Sequence, residues 1–270
     1  SSATADYSDT LHCVWSGFHD DDGDSDWSFV QWHNGDGVLL GEEDTLSGAF
    51  LGGDAVTCTV TPHDGKEDGV PVTSTPVVID NSPPTLEAVS LTPIESTVED
   101  VLSCVPGVTT DPDETTDFTY TYAWEVGGVF VPGATDATLT GDYFARGQSV
   151  QCIVSPFDGV DSGDSVGSNI IIVRNSVPIV ESASMAPDVA QTNTVLLASS
   201  VVSDADEDTV FAFYTWVVNG ISVLEGISAV SLNGATYFDK GDEVRLLVAA
   251  SDFGSESLPF STESITIQNT

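Results

Sequence analysis

Short runs in which apolar and polar residues alternate, broken by Gly, Pro, Asp and Asn, cover most of the chain and predict β-strands joined by tight turns. In the middle third the alternation predicts strands at 86–91, 101–104, 119–126, 137–139, 150–154 and 168–173, separated by PG, GG, GD and DG turn signals. Leu102 and Cys104 then share one strand face, Tyr122, Trp124 and Val126 share another, and Val150, Cys152 and Val154 point inward together.

The pattern occurs three times. Asn81, Asn175 and Asn269 close the segments PVVIDNSPP, IIIVRNSVP and ITIQNT, in two equal steps of 94 residues. Corresponding stretches run from Cys13 to Trp32, Cys104 to Trp124 and Leu197 to Trp216, each with an apolar strand, an acidic turn and an aromatic strand. Units of this length made of short strands predict an all-β protein of three tandem immunoglobulin-like β-sandwich domains. The expected boundaries are 1–82, 83–176 and 177–270, with Pro-containing junctions near Pro83 and Pro178. Only twelve residues precede Cys13, so the first domain is expected to lack its first strand. Either the residues are an excerpt of a longer array, or the open edge accepts a strand from another molecule, or that strand is redundant.

Charge narrows the partners. Forty-three acidic residues against five basic ones, Lys66, Arg146, Arg174, Lys240 and Arg245, give a net charge of −38. Nucleic acid and anionic membrane surfaces would be repelled, and bound cations or high ionic strength would relieve the self-repulsion. No apolar run is long enough to cross a membrane as a helix. A hydrophobic fraction of 40% with five Trp supports folded cores rather than disorder.

Cys13 and Cys58 fall in the first repeat, Cys104 and Cys152 in the second, none in CxxC spacing. This predicts two structural disulfides and an extracellular or cell-surface location. The third repeat is expected to carry Leu197 and Leu246 at the cysteine positions. A disulfide closing such a loop contributes roughly 4 kcal/mol, and two buried leucines about 3 to 6 kcal/mol.

The combination L-x-C, an acidic loop such as DPD or DADED, Y-x-W, G-[DQ]-x-V-x-C-x-V-x-P-x-D-G and a closing N-S-x-P resembles tandem immunoglobulin-like, cadherin-like or PKD-like repeats of large bacterial surface proteins and adhesins. The resemblance implies a non-enzymatic stalk, adhesion or filament segment outside the cell, with calcium at the loops. Its partners would be copies of itself or neighbouring repeats of a longer chain.

The candidate metal ligands are carboxylates on two loops that a sandwich places at one end. Asp20, Asp22 and Asp24 lie 12, 10 and 8 residues before Trp32, and Asp204, Asp206 and Asp208 lie at the same distances before Trp216. The middle repeat offers Asp111 and Asp113, and the second loop of each repeat begins at Asp64, Asp158 or Asp252. Their hard oxygens suit Ca²⁺, although the spacing is not that of an EF-hand. Asp-rich turns also form without any ion, and Asn81 and Asn175 are expected to make Asx turns ahead of proline.

Other chemistry is weaker. All four histidines, His12, His19, His33 and His63, lie in the first repeat, where His19 and His63 share the loop end and a transition-metal site competes with ordinary surface histidines. GDSVG at 163–167 matches GxSxG formally, but no helix is expected after Ser165 and its repeat has no histidine. Trp32, Trp124 and Trp216 are expected in the cores, leaving Trp15 and Trp27 for exposed contacts. An aromatic platform there would favour a second function, a glycan- or receptor-binding module of a secreted enzyme.

Overall fold

The computed structural model describes residues 4–269, which form short strands with a single 3-10 turn, Gly141–Tyr143, and one four-residue helix, Gly234–Tyr237. The chain is all-β and carries three tandem immunoglobulin-like sandwiches. Its contacts divide into two compact units. One holds Ser1–Ser90, Val105–Ala123 and Cys152–Asn169; the other holds Leu91–Cys104, Trp124–Gln151 and Ile170–Thr270.

In the first unit, Thr4–Ala5, Val77–Ile79, Ala55–Thr61, Phe29–His33 and Leu39–Gly41 form a sheet in that order, with Val72–Thr73 also on Ala55–Thr61. A second sheet pairs Thr10–His12 with Thr45–Ser47. Alternation drives the packing: Ala55–Thr61 buries Val56, Cys58 and Val60, which meet Val30, Trp32, Leu46 and Phe50 in one core. Cys13 and Cys58 form a disulfide across it. Thr4–Ala5 runs parallel to the closing strand Val77–Ile79. Among the described residues, Thr10–His12 pairs only with Thr45–Ser47, so the other edge of that strand carries no neighbour.

In the second unit, the last sandwich sets Ile179–Ala186, Val195–Ser203 and Ser231–Asn233 against a sheet built on Phe211–Val218 and Glu243–Ser251. Met185, Leu196, Trp216, Leu232, Leu246 and Ile267 lie within its core. The residues of the middle repeat are divided between the two units; its strands are Leu102–Pro106, Thr119–Val126, Thr138–Leu139, Ser149–Phe157 and Ile171–Ile172, where the alternation predicts them. Cys104 and Cys152 are buried and disulfide-bonded.

The three repeat tryptophans are buried, with exposures of 3%, 0% and 0%. Each indole N–H donates to a backbone carbonyl: Trp32 to Glu43 at 2.8 Å, Trp124 to Asp136 at 2.9 Å and Trp216 to Ala229 at 2.8 Å. A buried indole needs such a partner, so these residues serve the frame.

One expectation is corrected. Leu197 does not take the cysteine position of the third repeat; it is 56% exposed. Ala198 takes that position, 94 residues after Cys104. Its amide donates to Val230 O at 2.9 Å, as the Cys104 amide does to Ala137 O and the Cys13 amide to Asp44 O, both at 2.8 Å. A slip of one residue along a strand turns a side chain to the opposite face. Leu246 is fully buried as expected, so the third core replaces the disulfide with one leucine and one half-buried alanine.

Candidate functional site

The closing segment of each sandwich buries Ile79, the last residue of Val77–Ile79, or Val173 or Ile267, the residue just past Ile171–Ile172 or Ile265–Thr266, at exposures of 1%, 2% and 2%. Their carbonyls accept the amides of Gly53, Gly147 and Gly241 at 2.8, 2.9 and 2.9 Å. These glycines sit at φ of 90°, 81° and 89°, a conformation that favours glycine at this turn. The turn therefore lies beside the point where the chain leaves the sandwich. Gly52, Arg146 and Lys240 occupy the preceding position of the turn in each repeat.

The departing linker is clasped by the next sandwich. At the first junction Asn81 Nδ2 donates to Asp158 Oδ2 at 2.8 Å and to Asp161 Oδ2 at 3.1 Å. The Ser82 amide donates to Asp113 Oδ2 and the Gly52 amide to Asp113 Oδ1, both at 2.6 Å. Gly52 is required there, since a methyl group would lie 2.5 Å from the Asp113 carboxylate and 2.9 Å from the Asn81 backbone. At the second junction Asn175 Nδ2 donates to Asp252 Oδ2 at 2.7 Å and Ser255 Oγ at 3.1 Å, and the Ser176 amide donates to Asp206 Oδ2 at 2.5 Å. Here Arg146 replaces the glycine, and its guanidinium bonds both Asn175 Oδ1 and Asp208.

The receiving carboxylates are fixed by their own loops. Asp158 Oδ1 accepts the amides of Val160 and Asp161 at 2.7 Å, and Asp252 Oδ1 accepts those of Gly254 and Ser255 at 2.7 and 2.6 Å. The other oxygen is left aimed at the linker. Asp113 and Asp206 are held differently, by their own backbone amides, which donate to Asp111 Oδ1 at 2.7 Å and Asp204 Oδ1 at 2.8 Å. The Asn175 amide, followed by the Ser255 amide, pulls the Asp252 carboxyl down to about 2. Desolvation works to raise Asp158, but Asn81 and the backbone amides outweigh it and hold the group below its ordinary value.

Several buried oxygens of the clasps lack a hydrogen-bond partner: Asp111 Oδ2 and Ser82 Oγ at the first junction, and Asp204 Oδ2, Asp206 Oδ1 and Ser176 Oγ at the second. Asp111 and Asp204 hold corresponding loop positions, as do Ser82 and Ser176. Desolvation pushes the Asp111 carboxyl up, and the charges of Asp113 and Asp158 push it further. Leaving such a group unpaired costs about 1–3 kcal/mol. Asp204, Asp206 and Asp208 each offer an oxygen within 4.8 Å of the others, an all-oxygen set of the kind a hard divalent cation takes.

In the first sandwich Asp20 Oδ1 accepts the amides of Asp22 and Asp24 at 2.9 Å. Asp24 pairs with Lys66 at 2.5 Å. Asp64 Oδ1 accepts the amides of Lys66 and Glu67 at 2.7 Å, and these, Glu67 first, hold its carboxyl below the ordinary value. His63 Nδ1 lies 2.9 Å from Asp68, while His19 is exposed and 3.8 Å from Asp21; both line a groove of about 170 Å³ with Asp20 and Asp64.

The GxSxG match has a structural role. A methyl group on Gly163 would lie 1.9 Å from the carbonyl oxygen of Pro84, so glycine permits the close approach of two backbones. Ser165 Oγ is exposed and bonded to Ser155 Oγ at 2.7 Å. Trp15 lines a separate apolar groove of about 360 Å³ with Val14, Phe18, Val60 and Val72. Trp27, 66% exposed, is not among the residues lining that groove and sits by the turn at Gly65.

No protein-family model matches the chain, and no curated protein matches it in sequence. Among solved structures it is similar to the FN1–FN3 domains of chicken CNTN1, at 13% identity and a TM-score of 0.30 over 91% of this chain and 89% of that one. Extracellular domains 3–5 of Drosophila OTK share 10% identity at a TM-score of 0.33, over 100% of this chain and 94% of that one. The three N-terminal domains of the bacteriophage RB49 highly immunogenic outer capsid protein share 14% identity at 0.30, over 100% and 96%. At such scores these likenesses add nothing to what the strand order defines.

Proposed function

We propose that the chain is a non-enzymatic structural segment of an extracellular protein, a stalk or filament-forming array whose working part is the clasped junction. The observation that carries this reading is the repetition of one contact. Asn81 with Asp158 and Asn175 with Asp252 close two junctions with the same atoms, 94 residues apart. A linker bonded on its side chain and its backbone has fewer orientations than a free peptide, which is what a spacer under load requires. Buried tryptophans, closed disulfides and hydrogen-bonded loops support the spacer in preference to an aromatic binding platform. Small-angle scattering tests it: the chain should fit a single arrangement of sandwiches, and Asn81→Ala with Asn175→Ala should require an ensemble. Equal flexibility in both proteins would overturn the reading.

A cation completes the second junction in this account. Ca²⁺ fits the unpartnered oxygens of Asp204 and Asp206, since both are buried, anionic and oxygen-only. Arg146 already neutralises Asp208, so the ion would rest mainly on the other two carboxylates. At the first junction both Asp113 oxygens hold amides, leaving only Asp111 Oδ2 and Ser82 Oγ, a poorer site.

A further inference from the structure

The two junctions close the same carboxylate in different ways. At the first, the Ser82 amide takes Asp113 Oδ2 and the Gly52 amide takes Oδ1, so backbone donors hold both oxygens. At the second, the Ser176 amide takes Asp206 Oδ2, while Oδ1, though buried, has no hydrogen-bond partner among the described residues. The donor that fails to arrive is the amide of Arg146, which precedes Gly147 as Gly52 precedes Gly53.

The cause is steric. A methyl group on Gly52 would lie 2.5 Å from Asp113 Oδ2, 2.8 Å from Asp113 Cγ and 2.9 Å from Asn81 Cα, against about 3.5–4.0 Å for carbon atoms in contact. Residue 146 carries a side chain, so the same approach to Asp206 is closed to it. Its guanidinium goes to Asn175 Oδ1 and Asp208 instead. Asp208 follows Asp206 as Thr115 follows Asp113, by two residues, so glycine is matched with threonine at one junction and arginine with aspartate at the other. Arg146 thus satisfies one carboxylate and leaves another open. The second junction has two buried carboxylate oxygens without a partner, Asp204 Oδ2 and Asp206 Oδ1, where the first has only Asp111 Oδ2. Ser176, whose amide donates to Asp206, is itself 0% exposed, and its hydroxyl also lacks a partner.

We propose that Arg146 is the residue that favours a divalent cation at the second junction over the first: its bulk keeps the backbone amide off Asp206, and the oxygen left bare takes the ion together with Asp204. The inference rests on reading Asp204 and Asp206 as a cation site. A guanidinium near such a site repels the ion, so its charge and its bulk act in opposite directions. Alanine and glycine at this position separate the two effects. In Arg146→Ala the charge goes and the obstruction stays. In Arg146→Gly both go, the amide closes on Asp206 as the Gly52 amide closes on Asp113, and an ion must displace a hydrogen bond to reach the carboxylate. Glycine already occupies this place at the first junction, so the turn tolerates it.

The test uses the full chain with calcium alone as the probe, titrated calorimetrically at constant ionic strength, and amide hydrogen exchange in calcium-free solution. Arg146→Ala should bind calcium at least as tightly as the unaltered chain. Arg146→Gly should bind it at least about tenfold more weakly, the factor carried by a displaced hydrogen bond to a charged group. Without calcium, the amide of residue 146 should exchange at least about tenfold more slowly in the glycine variant than in the alanine variant. Adding Asp206→Ala to the glycine variant should remove that protection. Equal tightening of calcium in both variants would mean that Arg146 acts by charge alone and would refute the proposal, as would equal exchange at residue 146. An unaltered chain that binds no calcium removes the ion reading and this inference with it, and exchange at residue 146 then still reports whether the side chain keeps the amide from Asp206. Calcium binding that responds equally to the two substitutions sinks only the role of Arg146.

Discussion

Asn175 donates its side-chain amide to Asp252 at 2.7 Å across 77 residues of sequence, and Asn81 does the same to Asp158 at 2.8 Å across the same separation. Each bond joins the last residues of one sandwich to a loop of the next, so the repeat conserves the connection as well as the domain. The carboxylates most suggestive of a metal site in the sequence turn out to hold amides first.

Acid should open the second junction. The Asp252 carboxyl is pulled down to about 2, by Asn175 before any other group. A lowered folded-state value contributes stability that is present above the unfolded value of 3.8 and is lost as pH falls through the folded one. Unfolding monitored by Trp fluorescence should therefore show a loss between about pH 4 and pH 2. In Asn175→Ala the Asp252 titration, followed by carboxyl NMR, should move back toward 3.8; an unchanged titration would mean that the amide does not set it.

Calcium should raise the melting temperature, and Asp204→Asn should cancel most of the rise while Asp22→Asn leaves it. At a hundredfold excess over its dissociation constant a single ion stabilises by about 2.7 kcal/mol. Scanning calorimetry with calcium, then with chelator, reads this directly, and identical melting in both would remove the ion from the account.

The third sandwich should accept the disulfide that it lacks. Ala198→Cys with Leu246→Cys recreates the register of Cys104 and Cys152, and the cysteines of the first sandwich have Cα atoms 6.2 Å apart. The crosslink contributes roughly 4 kcal/mol and the lost leucine removes about 2–3. The net gain should be on the order of 1–2 kcal/mol in denaturant titration under oxidising conditions. Leu197→Cys with Leu246→Cys should form no bond, because residue 197 faces outward.

Ser165→Ala should change stability by no more than about 0.5 kcal/mol, whereas Gly163→Ala should cost at least about 1–3 kcal/mol as the Pro84 carbonyl is forced aside. The opposite ranking, or hydrolytic activity lost with Ser165, would revive the GxSxG reading.

Much of the frame was legible in sequence because period-two alternation is local. Thr119–Val126 appears at the residues its alternating aromatics predict, and Trp124 is buried as its repeat position implies. The clasp was not legible in the same way. Asn81 reads locally as an Asx turn before proline, since nothing nearby reveals a carboxylate 77 residues downstream. Its signal was phase: Asn81, Asn175 and Asn269 share the 94-residue step with Asp64, Asp158 and Asp252. The same step would have placed Ala198, not Leu197, opposite Leu246.

The central claim, that an Asn–Asp clasp fixes the junction, is tested most directly by the distribution of distances between spin labels on cysteines replacing Val129 and Ile221. Both positions are exposed, at 69% each, and none of the native cysteines is free to react. A narrow distribution that broadens in Asn175→Ala is the predicted result. A distribution of the same width with and without the Asn175 amide would contradict it.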